Sequence, residues 1–153
     1  MPGRQRARRR KAYKPLEHDI QVAAFAWWAL YANAHKIPEH LLFAVPNAAK
    51  MSYRAAAWMK AEGRRAGVSD VFLMIPAGGF HGLIFEFKRP GEKPTPEQEA
   101  FLFSVRRHGY NALVVHSTEE FIRAVKAYLA QPKRPASVGN LTGPCQPPTI
   151  APP

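Results

Sequence analysis

Three residues of this chain have the types and spacing to do chemistry together: Asp70, Glu86 and Lys88. They lie in GVSDVFLMIPAGGFHGLIFEFKRPGEKPTPEQ, residues 67–98, where the β-rich runs VFLMI and GLIFEFK flank a Pro/Gly segment, Pro76 to Gly82. That segment reads as a hairpin turn. With the chain folded back near Gly78, Asp70 and Glu86 each stand eight residues from the bend and become neighbours at the open end of the hairpin. Side chains alternate along a strand, so Glu86 and Lys88 face one side, for chemistry, and Phe85 and Phe87 the other, for the core. Two anions and a cation gathered in this way can bind a divalent metal and hold a water beside it. Mg2+ prefers oxygen ligands, takes one or two carboxylates together with substrate phosphate, and keeps several waters. Lys88 would orient or help deprotonate an attacking water, or stabilise charge developing on phosphate. The same residues also suit a surface salt bridge between Asp70 and Lys88, with Glu86 as an edge-strand charge that discourages aggregation. Spacing alone leaves both readings open.

The elements around the hairpin must position these groups. At 153 residues the chain has the length of one domain, and its apolar content, with nine Phe and three Trp, excludes a disordered class for its middle. It has no run of 18 apolar residues and no apolar stretch behind the charged N-terminus, so it reads as neither membrane-spanning nor exported by a signal peptide. The lone Cys145 argues against an internal disulfide and against thiolate zinc, and fits a reducing cytoplasm.

The formal charge of +11 is concentrated at one end. Arg4, Arg6, Arg8, Arg9, Arg10, Lys11 and Lys14 form a basic arm over residues 1–14 with no acid to offset it. Such arms bind nucleic-acid backbones without reading sequence, although a solvated tail or a targeting run has the same composition.

A helix is expected from Glu17 to Tyr31 and, being apolar on all sides after Ile20, should be largely buried. Glu17 shares a face with Gln21. It is either an acid placed in the first turn for the helix dipole or a third carboxylate reaching the hairpin. A strand, Leu41 to Val45, ends at Pro46-Asn47, and a helix from about Ser52 to Glu62 offers Trp58 and Met59 for packing before Gly63 stops it. Arg64 and Arg65 follow, where a phosphate backbone approaching the site would pass, or as solvated surface. Thr95, Pro96 and Gln98 make a helix start with a capping box, which explains Gln98 structurally. That helix runs to His108, a strand covers Tyr110 to Val115, and Ser117 with Glu120 caps a last helix to about Ala130. Seven of fifteen prolines fall in residues 131–153, an extended or disordered tail. The order αβαββαβα predicts an α/β domain over residues 15–130: a small mixed sheet flanked by helices, with a crossover between its last two strands.

The motifs GVSD, FEFK, TPEQEAF, HGYNALVV and STEEFIRAV, with EHDIQ, VPN and KAEG, occur in an order that resembles the VRR-NUC branch of the PD-(D/E)XK nuclease superfamily, in its stand-alone phage or bacterial form. The resemblance covers roughly Glu17 to Val125 and implies a restriction-endonuclease-like fold. It implies that Asp70 and Glu86 hold Mg2+ or Mn2+ with the backbone carbonyl of Phe87, and that Lys88 positions the nucleophilic water. It further implies that Glu17 reaches the metal directly or through water, and that Gln98 orients Lys88 or the substrate. Two positions depart from the family pattern: Ser69 stands where proline usually precedes the Asp, and Ala48 where glycine usually follows Pro-Asn. Neither departure removes a catalytic group.

The activity implied is metal-dependent hydrolysis of DNA phosphodiester bonds. Stand-alone members of this branch resemble enzymes that cut branched DNA such as Holliday junctions or flaps, and compact forms resemble homodimers. A short nuclease suits a phage, acting in the cytoplasm of a bacterial or phage-infected cell. The other classes open to the sequence are a non-catalytic nucleic-acid-binding module, with structural carboxylates, and a restriction-type or RNA-directed nuclease on the same fold. Acids near phosphate repel it unless a metal intervenes, which weighs against the first.

Overall fold

A computed structural model of the protein describes residues 15–45 and 53–132, apart from the side chains of 53–56. The basic arm, the Pro46-Asn47-Ala48 segment and the Pro-rich tail with Cys145 lie outside the described residues. The elements are α1 (Glu17–Ala34), β1 (Leu42–Ala44), α2 (Tyr53–Ala61), β2 (Val71–Leu73), β3 (Leu83–Phe87), α3 (Pro96–Arg107), β4 (Asn111–Val115) and α4 (Thr118–Leu129), with one 3-10 turn before β1. The expected order is therefore the observed one. No helix among the described residues is long and apolar enough to cross a membrane.

The strands form one mixed sheet in the order β1-β2-β3-β4. The first three pair antiparallel, and β4 pairs parallel with β3 after the α3 crossover. At the tip of the β2-β3 hairpin, Ala77 bridges Phe80, and Gly78 and Gly79 between them both have positive φ. A two-residue turn of this kind needs that backbone, which side chains disfavour and glycine adopts freely. Three residues, Met74 to Pro76, then face two, His81 and Gly82, so the first arm carries one extra residue. The bend thus lies between Gly78 and Gly79, and the extra residue restores the register in which Val71 pairs with Phe85. The next position outward sets Asp70 opposite Glu86, as the sequence predicts.

Both faces of the sheet are covered. On one, Ile20, Ala24, Trp28 and Ala32 of α1 and Phe121, Val125 and Tyr128 of α4 pack on alternate strand residues, including Phe85 and Phe87. Each large apolar side chain so buried contributes about 1.5–3 kcal/mol. Trp28 donates its indole N–H to the Glu39 carbonyl at 2.8 Å, which lets a polar tip sit inside. Tyr128 donates to the Ile75 carbonyl and accepts from the Ala77 amide, tying α4 to the hairpin tip.

On the other face α3 seats Leu102 against Ile84 and Ala112. All five residues of β3 are buried in consequence, so the hairpin does not divide into a core face and an open chemical face.

Two packing expectations are overturned. The stripe Ile20-Ala24-Trp28-Ala32, four residues apart, is the buried part of α1 among apolar neighbours, and Val22 and Leu30 stand 54% and 75% exposed. One sheet face can cover one side of a helix, whatever the composition of the rest. Trp58 is 71% exposed rather than packed, and Met59 receives the Arg64 guanidinium on its sulfur at 4.0 Å.

Candidate active site

The site is built at the end of β3, where the strand passes from core to surface. Glu86 is fully buried and Lys88 nearly so. Lys88 Nζ lies 3.0 Å from Glu86 Oε1 and 3.6 Å from Glu17 Oε1, which the first turn of α1 brings in. Lys88 thus forms a buried pair with Glu86, and the Asp70 charge also acts on it. Such a pair must offset the desolvation of both charges.

Asp70 stands just before β2, and its Oδ2 accepts the Phe87 amide N–H at 3.0 Å. Its carboxylate is thereby held at the residue between Glu86 and Lys88. The lead-in to Asp70 is pressed against α3: Gly67 has φ +77°, and a Cβ there would fall 2.6 Å from the Glu97 backbone. Only glycine allows that approach, which brings the first turn of α3 over the hairpin end.

Gln98 serves two structures at once. Its Oε1 accepts the Thr95 amide at 2.9 Å and its own amide donates to Thr95 Oγ1, closing the expected capping box. Its Nε2 donates to Glu86 Oε1. Gln98 thus caps α3 and, within the site, contacts Glu86 rather than Lys88. At α4 the second box is half-formed: Ser117 Oγ accepts the Glu120 amide, but Glu120 Oε2 takes the His116 amide instead.

Burial pushes the Glu86 carboxyl up to about 7 and the nearby Asp70 charge adds to the rise, while Lys88 and the Ser69 hydroxyl draw it back. For Lys88, burial opposes the charge, but contact with Glu86 and the charges of Glu86, Glu17 and Asp70 outweigh it and raise its pKa. Lys88 is therefore held as an ammonium, suited to orienting a water or a phosphate rather than to removing a proton.

Among the described residues, Glu86 Oε2 and Ser69 Oγ are the buried side-chain polar atoms without a hydrogen-bond partner. The sequence marks Ser69 as a departure from a pattern without assigning it a place in the site. Its signal was its position beside Asp70.

In front of this group opens a cavity of about 440 Å³, lined by Glu17, Asp70, Lys88, Gln98, Arg64 and Arg65 among others. Glu86 is not part of its lining but contacts Lys88 and Gln98, which are. Arg65 donates to the Lys60 and Arg64 carbonyls and so folds over the end of α2. Asp70, Glu86, Lys88, Gln98 and Glu17 are thus brought together from four parts of the fold, with Arg64 and Arg65 on the rim. The arm residues Arg4, Arg6, Arg8, Arg9, Arg10, Lys11 and Lys14 lie outside the described residues.

A divalent ion fits the paired carboxylates. Asp70 and Glu86 would supply the one or two carboxylates that Mg2+ takes, and Glu86 Oε2 is a buried acceptor without a hydrogen-bond partner, of the kind an ion satisfies. Among the described residues no group of three or more His, Cys, Asp and Glu is arranged to hold a metal, and Glu17 meets Lys88.

Comparison with known proteins adds three findings. The VRR-NUC domain model matches residues 5–119. A solved structure titled VRR_NUC domain protein superposes with a TM-score of 0.66 at 24% identity, over 79% of this chain and 93% of that one, a likeness of fold. No curated protein matches.

Proposed function

We propose that this chain, which belongs to the VRR-NUC domain family and has its nuclease-type fold, is a Mg2+- or Mn2+-dependent endonuclease that hydrolyses DNA phosphodiester bonds at branched sites such as junctions or flaps. The observation that carries this reading is Glu86 Oε2, a fully buried carboxylate oxygen without a hydrogen-bond partner, on a residue held by Lys88 and Gln98, which line the cavity together with Asp70. A buried acceptor left unmatched is costly. A cation delivered with its substrate removes that cost.

In this mechanism Asp70 and Glu86, with the Phe87 carbonyl, would hold the ion. Bound there, Mg2+ or Mn2+ would make a water more acidic and neutralise charge on the scissile phosphate. Gln98 fixes the other oxygen of Glu86, so the carboxylate is oriented before anything binds. Lys88, as an ammonium, orients the attacking water or meets charge developing on phosphate. Glu17 pairs with the same ammonium and restrains it further. Arg64 and Arg65 on the rim, together with the basic arm, supply phosphate contacts that carry no sequence information. A homodimer would present two such sites to the two strands of a branch.

The test is cleavage of a labelled panel comprising a four-way junction, 5′ flap, splayed arm, plain duplex and single strand. Each is incubated with Mg2+, Mn2+ or EDTA, for wild type and Asp70→Ala. Metal-dependent cutting of branched substrates, absent in the variant, is the expected result. Binding without cutting on every substrate would overturn it in favour of a non-catalytic module. Cutting at one fixed sequence would indicate a restriction-type enzyme, and cutting of RNA alone an RNA-directed one.

A further inference from the structure

At the far end of α1 from Glu17, the rings of Trp27, Tyr31 and His35 form a column. Trp27 and Tyr31 stack with centroids 4.7 Å apart, and Tyr31 and His35 approach to 4.2 Å. One end of the column is closed, because the Lys126 ammonium lies 5.9 Å over the Trp27 ring and Phe121 meets that ring edge-on. The other end, His35, is exposed and meets no further ring among the described residues. It borders a cavity of about 410 Å³ whose wall includes Tyr31, Lys36, Ile37 and Pro38 and, among the described residues, no acid. Lys36 stands there in a costly conformation. It follows the cap of α1, where the Ile37 amide returns to the Ala32 carbonyl at 2.9 Å and the Lys36 amide to that of Asn33 at 3.2 Å. Glycine is usual at this position. Lys36 has φ +55°, the one positive φ outside glycine among the described residues, so its side chain is carried at a backbone cost.

A flat aromatic group that also carries negative charge fits both features: its face continues the column on His35, and its anion meets Lys36. A nucleotide has that chemistry, and a chain of net charge +11 attracts it. Bases inside a duplex are stacked between their neighbours, so an unpaired one is needed to offer its face. We propose that the open end of the column binds an unpaired nucleotide of a DNA strand, its base stacked on His35 and its phosphate at Lys36. The inference takes DNA as the ligand from the proposed function and is independent of the metal site. Glu17 and His35 lie at opposite ends of an 18-residue helix, about 27 Å long. The contact is therefore a second one, remote from the candidate active site and made to the single-stranded arm of a branched substrate.

The test measures binding by fluorescence anisotropy to two labelled DNAs: a blunt duplex, and the same duplex with a single-stranded arm of about 12 nucleotides, longer than the roughly eight that match the helix at about 3.4 Å each. Full-length protein is used in EDTA, where the proposed enzyme does not cut, and melting temperatures are recorded beside the affinities. His35→Ala should bind the armed duplex about 10-fold more weakly and the blunt duplex as wild type does. Lys36→Gly should melt at a higher temperature, because glycine adopts positive φ freely, while binding the armed duplex more weakly and with a salt slope smaller by about one. Unchanged binding of the armed duplex by His35→Ala, or an equal loss on both DNAs, would overturn the proposal, as would a Lys36→Gly variant that melts higher and binds as before. Cutting is not read here, so a chain that shows the expected binding pattern and cuts nothing loses the nuclease reading and keeps the stacking site.

Discussion

Asp70 Oδ2 accepts a 3.0 Å hydrogen bond from the amide of Phe87, the residue between Glu86 and Lys88. Charge and fold are therefore coupled at this carboxylate and separable by substitution. Asp70→Asn keeps an oxygen for the amide and loses the charge. Cleavage should fall at least ~100-fold while stability changes by less than about 1 kcal/mol. Asp70→Ala should lose cleavage equally and a further ~1 kcal/mol. DNA binding should persist in both. Single-turnover cleavage, gel-shift binding and chemical denaturation check this, and wild-type cutting by either variant would refute the metal assignment.

Glu86 links stability to pH. Its folded pKa of about 7 lies above the ordinary 4.5, raised by burial and by Asp70, so the folded chain binds the proton more tightly than the unfolded one. The stabilisation from that proton is complete below 4.5 and is lost as pH rises through 7. Calorimetry in EDTA should thus show a melting temperature that falls between pH 5 and 8, and Glu86→Gln should flatten the fall. Metal binding needs the carboxylate, so Mg2+ should stabilise the wild type more at pH 8 than at pH 5.

Removing Lys88 leaves Glu86 without its ammonium partner. A carboxyl whose pKa is already near 7 can respond by taking up a proton, so the usual penalty for a stranded buried charge is avoided. Lys88→Ala should remain folded by circular dichroism and cleave at least ~100-fold more slowly. An unfolded variant would assign the pair to stability.

Thr95 and Gln98 separate capping from chemistry. Thr95→Ala removes the Oγ1 acceptor for the Gln98 amide and should cost about 1 kcal/mol, leaving the Gln98 contact to Glu86 in place. Gln98→Ala should cost a similar amount and also slow cleavage about 10-fold, by releasing Glu86 Oε1. Equal rates in the two variants would reduce Gln98 to a cap.

The basic arm predicts a salt effect. Deleting residues 1–14 should weaken DNA binding and flatten the dependence of log affinity on log salt, measured by fluorescence anisotropy. An unaltered slope would show that the arm makes no phosphate contacts.

Much of the site was legible in the sequence because a hairpin converts spacing into proximity. Asp70 and Glu86 meet where the symmetric fold about Gly78 places them, although the route includes an extra residue on the first arm. Thr95 and Gln98 follow local capping rules that need no tertiary information. What depended on packing was not legible. The crossover helix α3 closes over the face of β3 reserved for chemistry, so Glu86 is buried rather than presented. In α1 one stripe is buried where composition suggested all sides. Tyr128, tied to Ile75 and Ala77 more than fifty positions away, gave no local sign of that role.

The distribution of the site along the chain bears on how it forms. Gln98 and Glu86 are 12 positions apart and Asp70 and Phe87 are 17, within one hairpin and its crossover. The Lys88 contact with Glu17 joins residues much farther apart in sequence, from the start of the first helix to the end of β3. Closure of short loops precedes closure of long ones, because the entropy lost grows with the length enclosed. The contacts around the carboxylates therefore carry the smaller closure cost, and the docking of the first helix against Lys88 the larger one. Loosening of the first helix would therefore free Lys88 on one side and remove Glu17 from the cavity wall, while the hydrogen bonds that join Asp70 to Phe87 and Gln98 to Glu86 do not involve that helix.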